Sequence, residues 1–558
     1  MNDFRKKGTL LMTIKIGRRD YLLASGAGLA AMLAGGVGSV FAATPKDTLV
    51  LGWQIDDIIT FDPGESFEIS AQEIASVIYD TLVKLDPDDP LKIQPRLAES
   101  WTTSDDVLTY TFKLRSGMKF ASGNPITAAD VAYSIERAVK LNKNPAFILQ
   151  QFGLTADNVT EKAKALDELT FQLVVDKPYA PSFVLNCLTA KVGSVVDKVL
   201  LEKNAAAVTP TDDYKFTTDF GNGWLKTHYA GSGPFKLRDW RANEIVVLER
   251  NDAFWGEKPK LLRIIYRHMK GSSGQRLALQ SGDIDIARNL EPNDIDAVAK
   301  QKEIKLIAAA QGTSYYFSLN QKNPILAKPE VREALKYLVD YDAIGSTLIK
   351  SVGTIHQAFL PSGMLGAVDD NPYKLDVAKA KELLAKAGHA DGFSITMDVR
   401  SVEPLTGIAQ SVQQTFAQAG IKLDLIPGDG KQTLTKFRAR NHDIYIGNWG
   451  TDYWDPNSNA QAFASNEDNS DNTKLKTLAW RNAWDIPELT KQTQAALLER
   501  DTQKRAAIYQ DMQKKVLAES PFVIIYQKVE TSAVRANVNG FRLGATFDSA
   551  MIADVTKS

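Results

Sequence analysis

Apolar residues along this chain keep switching between two spacings, and that switching confines it to one fold class. Tyr110, Phe112 and Leu114 alternate with polar neighbours, the period of two expected of a half-buried strand. Val331, Ala334, Leu335 and Leu338 instead fall at the i, i+3, i+4, i+7 spacing of an amphipathic helix. The alternation recurs. Short strands are predicted at Thr48–Trp53, Ile245–Leu248, Ile264–Tyr266, Tyr315–Asn320, Ser394–Val399 and Ile421–Ile426. Helices are predicted at Ala71–Leu82, Gln275–Gln280, Glu330–Val339 and Gly407–Ala419. Thr127 is a good N-cap for the helix carrying Asp130 to Ile135, and Asp376 caps another that Gly388 ends. Interleaved strands and helices without an internal repeat indicate an α/β protein.

The chain of 558 residues, 44% hydrophobic and 24% charged, is long enough for two or three domains. A formal net charge of -1 offers no strong attraction to nucleic acid. Cys187 is the single cysteine, so no internal disulfide can form, and it reads as a small buried hydrophobe.

The N-terminus differs from the rest. Arg5, Lys6, Lys7, Lys15, Arg18 and Arg19 precede a weakly apolar Ala/Gly/Leu run ending at Ser39-Val40-Phe41-Ala42-Ala43. A basic region, an apolar region and a small-residue exit predict a cleaved signal peptide over residues 1–42. Arg18-Arg19-Asp20-Tyr21-Leu22-Leu23 resembles a twin-arginine address. Cleavage after Ala42 leaves a formal net charge of about -5, which favours solubility. The mature protein is expected in the periplasm.

Chemistry concentrates at residues 447–456, Gly-Asn-Trp-Gly-Thr-Asp-Tyr-Trp-Asp-Pro. Gly447, Gly450 and Pro456 mark a turn. Asp452 sits among Trp449, Tyr453 and Trp454. A carboxylate framed by aromatic faces suits an ammonium or amide donor with apolar groups beside it. A loop that merely packs its aromatics would look the same locally. No catalytic signature competes. The five histidines, His228, His268, His356, His389 and His442, lack metal spacing, and there is no G-x-S-x-G elbow. Gly428-Asp429-Gly430-Lys431 lacks the earlier glycine and the Ser/Thr of a phosphate loop and reads as a polar turn.

Four stretches together resemble one family. They are Pro95–Trp101 continuing through Tyr110–Arg115, Gly117–Phe120 and Gly123–Val131; Gly231–Phe235 with Asn251 and Phe254–Gly256; Gly282–Asp285; and Trp449–Tyr453 with Asp455-Pro456. The pattern is similar to the family 5 extracellular solute-binding proteins of ABC importers, which handle peptides, nickel and related solutes. The resemblance covers nearly all of the mature chain.

It implies a type II periplasmic-binding-protein fold, a Venus flytrap that closes on its ligand. A discontinuous first lobe would take 43–86, 223–310 and 521–558. An inserted domain would span 87–222, and a further lobe 311–520. It implies a monomer that binds a peptide or peptide-like amine and hands it to a membrane permease, with no cofactor, no metal and no catalysis. Asp452 would meet the ligand's amino terminus, with Trp449, Gly450, Thr451 and Tyr453 beside it. The loop Gln54–Phe61 would contribute from the first lobe. One departure stands out: Ser362 follows Leu360-Pro361, where dipeptide-binding relatives tend to carry an arginine for the ligand carboxylate. Nor does a basic residue precede Trp449 within Tyr445–Asn448. Other solutes (a metal chelate, opine, haem or oligosaccharide), a periplasmic hydrolase and a chaperone remain alternatives.

Overall fold

Residues 44–473, 475–546 and 551–558 are described by a computed structural model. The signal-peptide reading of residues 1–42 lies outside them. Thr44–Ser558 forms one compact unit.

An eleven-stranded mixed sheet organises the described residues. Its order is Ile421–Gly428, Phe393–Arg400, Ile444–Gly450, Ile304–Leu319, Phe522–Arg535, Ile286–Ala287, Thr48–Trp53, Arg263–His268, Ile245–Arg250, Phe235–Arg241. Gly353–Ile355 adds to Phe522–Arg535. A separate four-stranded antiparallel sheet is built from Ala98–Thr103, Thr109–Leu114, Thr170–Val174 and Ala163–Ala165.

Two long strands join the parts. Ile304–Leu319 has 16 residues, far longer than the predicted Tyr315–Asn320, and pairs antiparallel with the 14-residue Phe522–Arg535. Beyond the half of this pair near Ile304 lies Ile286–Ala287, with Thr48–Trp53 next; beside the half near Leu319 lies Ile444–Gly450. The register shifts between Ala310 and Ser314, a bulge that locally bends the pair.

Apolar packing is divided accordingly. One core gathers Leu97, Tyr110, Phe112, Val131, Phe171 and Leu188. A second gathers Leu51, Ile74, Phe235 and Tyr266, and a third gathers Phe317, Leu335, Met397 and Val412. Tyr453 is a member of the first core although its neighbours in sequence belong elsewhere.

Local signals behaved as their chemistry dictates. The Asp130 carboxylate accepts from the Thr127 N–H at 2.9 Å and hydroxyl at 2.7 Å. Asp376 accepts from Lys379 N–H at 2.8 Å. Three readings need correction. The helix placed at Ala71–Leu82 spans Ile69–Ile78, because the chain turns extended at Tyr79 and enters the strand Val83–Leu85. Asp429 does not sit in a bare turn: it N-caps a helix, Gly430–Arg438, with Gln432 reaching back to its N–H at 3.1 Å. Gly447 to Gly450 are strand rather than turn, held by pairing of Thr313–Leu319 with Ile444–Gly450. The turn begins at Thr451.

Candidate functional site

Strand direction decides what meets at the sheet edge. Phe393–Arg400 and Ile444–Gly450 are adjacent and parallel, with Asp398 opposite Tyr445. Their C-terminal ends therefore emerge on the same side, where open α/β sheets tend to hold ligands. One strand delivers Arg400 there; the other delivers the turn after Gly450.

That turn is clamped on every side except one. The Thr451 N–H donates to the Gly312 carbonyl at 2.8 Å, and the Thr451 hydroxyl lies 2.8 Å from the same oxygen. Gly312 lies in the strand bulge, and a side chain there would sit 3.0 Å from Thr451 and Trp454, so the close approach favours glycine. Asp452 N–H donates to the Ser458 hydroxyl at 3.0 Å. The Tyr453 hydroxyl donates to Gln151 Oε1 at 3.0 Å, and its ring packs edge-on to Phe183. Asp455 N-caps the helix Pro456–Ala464 and receives both Nη atoms of Arg505 at 2.7 Å. Both partners of that pair are 1% exposed, so the guanidinium offsets the carboxylate where water cannot.

The Asp452 carboxylate is left over. It makes no hydrogen bond or ion pair among the described residues, and burial alone pushes it up to about 7. Asp452 is half-buried, and a desolvated acid without a cation is costly; a ligand cation would relieve the cost.

Asp452 borders a cavity of about 710 Å³, within the range of small-molecule pockets. Gly450, Thr451 and Tyr453 also line it; Trp449 does not. The indole of Trp449 packs against a cluster containing Trp454 and Phe463, and its N–H has no partner among the described residues. Gln54, Asp56 and Asp57, from the loop expected to contribute, line the cavity, as do Trp53, Phe67 and Ile69.

The opposite wall carries charges that cancel one another. Arg288 chelates Glu73, with Nη2 at 2.9 Å from Oε2, and its guanidinium stacks 4.5 Å from the Trp53 ring centroid. Lys528 pairs with Glu530 at 2.7 Å, and Arg288 Nε lies 3.6 Å from the same carboxylate. These ion pairs hold Glu530 below the usual carboxylate range despite its burial.

Arg400 is the residue that sequence reasoning missed. It lines the cavity, is exposed, and its guanidinium makes no hydrogen bond or ion pair among the described residues. Ser362, where the arginine was sought, instead donates its hydroxyl to Asp369 and its N–H to Gln527 Oε1 at 3.0 Å. The one available signal was a basic residue closing a predicted strand. No histidine or cysteine lines the cavity. Among the described residues no group of His, Cys, Asp and Glu is arranged to hold a metal ion.

The family of bacterial extracellular solute-binding proteins, family 5, matches residues 92–471. The chain belongs to that family. Its members bind solutes rather than transform them. The chain is 29% identical over 518 residues to the Probable D,D-dipeptide-binding periplasmic protein of Escherichia coli (strain K12), covering 92% of this chain and 95% of that one. It is 27% identical over 531 residues to the glutathione-binding protein of Salmonella paratyphi A, covering 92% and 97%. Among solved structures, a periplasmic binding protein of Helicobacter pylori in complex with the peptide STSA aligns with a TM-score of 0.75 at 24% identity, covering 91% and 98%. A binding protein from A. tumefaciens R10 in complex with agropinic acid aligns at 0.73 and 25% identity, covering 92% and 99%. The fold is the two-lobed type II binding-protein fold with an additional inserted domain, as the sequence led one to expect.

Proposed function

We propose that this solute-binding protein captures a short peptide in the 710 Å³ cavity and delivers it to the membrane permease of an ABC importer. The peptide's ammonium meets Asp452 and its carboxylate meets Arg400. The observation that carries the reading is the Asp452 carboxylate: fixed by a clamped turn, facing the cavity, and without a partner. Arg400 complements it with an unpaired positive charge at the same sheet edge. A zwitterion satisfies both. Gly450 and Thr451 border the bound backbone, and Tyr453 fixes the turn from behind.

The same proposal includes export by a twin-arginine signal cleaved after Ala42, a periplasmic location and a monomeric state. No described helix is long and apolar enough to cross a membrane. It includes the lobe boundaries 43–86, 223–310 and 521–558 against 311–520, with 87–222 inserted; the apolar cores follow that division only in outline, since Val523, Ile525 and Tyr526 pack with the core of 311–520, and Val196 and Leu201 with that of the first lobe.

Titration calorimetry tests the reading. Ala-Ala is expected to bind, N-acetyl-Ala-Ala to lose most of its affinity by losing the ammonium, and Ala-Ala amide to lose less. Equal binding of the acetylated and free peptides would overturn it. Mass spectrometry of secreted protein beginning at Ala43 tests the export signal.

A further inference from the structure

One feature of the first-lobe wall is out of keeping with its neighbours. The helix Ile69–Ile78 turns Ala71, Ile74, Val77 and Ile78 into the core, yet Ile69 at its first position is 49% exposed. That exposed surface borders the ligand cavity. Phe67, two residues earlier, also lines the cavity and is half-buried, its ring held edge-on against Phe147 with centroids 6.0 Å apart. Large apolar side chains at the edge of a binding cavity gain by being covered when the ligand enters.

Fixed charge on this wall points the same way. Glu73 is bound to Arg288 and Glu530 to Lys528. Asp57 accepts the Ser70 hydroxyl, and Lys270 stands 3.5 Å from Asp56. Lys191, which also lines the cavity, is itself engaged, and Arg400 is taken by the ligand carboxylate in the peptide reading. An acidic ligand side chain would find no available cation beside Phe67 and Ile69, and would approach Asp56 and Asp57. Like charges brought together in a partly dry cleft repel.

We propose that Phe67 and Ile69 form a side-chain subsite that selects uncharged apolar residues on the bound peptide and rejects acidic ones. The proposal rests on the peptide reading above. It adds what the ammonium and carboxylate contacts cannot supply, discrimination among peptides that share the same two ends.

Calorimetry with the homodipeptides Gly-Gly, Ala-Ala, Val-Val, Leu-Leu, Lys-Lys and Asp-Asp, in both L,L and D,D forms, tests it. In the stereochemical series that binds, affinity is expected to rise about fourfold per buried methylene from Gly-Gly towards Leu-Leu. Asp-Asp is expected to bind weakest. Ile69→Ser should flatten the gradient, and Ile69→Leu should restore it. A gradient unchanged in Ile69→Ser would overturn the subsite, as would Asp-Asp or Lys-Lys binding as tightly as Leu-Leu. Binding of Gly-Gly with a flat series would overturn the subsite alone. Failure of every dipeptide to bind would overturn the peptide reading with it.

Discussion

The two walls of one cavity handle charge in opposite ways. On the side carrying the helix Ile69–Ile78, Glu73, Arg288, Glu530 and Lys528 neutralise one another within the protein. On the side formed by the sheet edge, Asp452 and Arg400 have no protein partner among the described residues, although each borders the same space. Charge near a cavity is therefore not evidence of ligand contact. The informative quantity is charge left uncompensated after internal pairs are assigned. A compensated wall stabilises the fold; an uncompensated one is where the proposed ligand's charges would be met.

Substitution should separate the two. Arg288→Met leaves Glu73 buried without its partner, a change worth about 3–5 kcal/mol. The empty protein's melting temperature should fall sharply. Asp452→Asn should do the reverse: remove a burdened carboxylate, leave the empty protein's melting temperature equal or higher, and weaken peptide binding by about 10²–10³-fold. Calorimetry and thermal melts on both variants check this. A destabilised Asp452→Asn protein with normal affinity would erase the distinction between the walls.

The same contrast explains what could be read in the sequence. The α/β class was legible because strand and helix periods are local. Asp452 drew attention in the sequence because glycines, aromatics and a proline crowd within ten residues of one another around it. Arg400 was not, because its relevance depends on Phe393–Arg400 lying parallel to Ile444–Gly450, a pairing across some fifty residues. The Glu73–Arg288 pair spans 215 positions and has no local mark at all. Trp449 was nominated as the aromatic that the family resemblance places beside the ligand; its place in the sheet depends on a distant strand. Strand pairing with Ser314 fixes it there, where it packs with Trp454. Ile69 escaped notice because the helical pattern was taken to begin at Ala71.

Acidity tests the uncompensated wall more gently. Below about pH 7 the empty protein holds Asp452 protonated, and an ammonium ligand must displace that proton. Affinity for a peptide amine should fall up to tenfold per unit, or about a hundredfold between pH 7 and 5. The stability of the empty protein should move the other way. Between about 4 and 7 the folded state holds a proton that the unfolded chain has released, so acidification through that window stabilises the wild type relative to Asp452→Asn. Calorimetry across pH and paired melts of the two proteins check both signs. Arg400→Met should cost less, about ten- to a hundredfold in affinity, because the guanidinium is exposed and its bond to the carboxylate competes with water. The loss should vanish for a peptide amide, which has no carboxylate to meet.

The smallest effect should come from behind the turn. Tyr453→Phe removes a hydroxyl that donates to Gln151 at 3.0 Å and accepts from Asn457 at 3.1 Å, while the ring keeps its contact with Phe183. Losing those two bonds, with only the 3.4 Å contact from Asn457 Nδ2 to Gln151 Oε1 left between the amides, should lower stability by about 1–3 kcal/mol. Because the Thr451–Gly312 bonds and the Asp455–Arg505 pair still hold the turn, Asp452 should stay in place and affinity should change less than threefold. A loss of affinity as large as that of Asp452→Asn, measured at matched folded concentration, would mean that the inserted domain, through Tyr453, determines where the carboxylate stands.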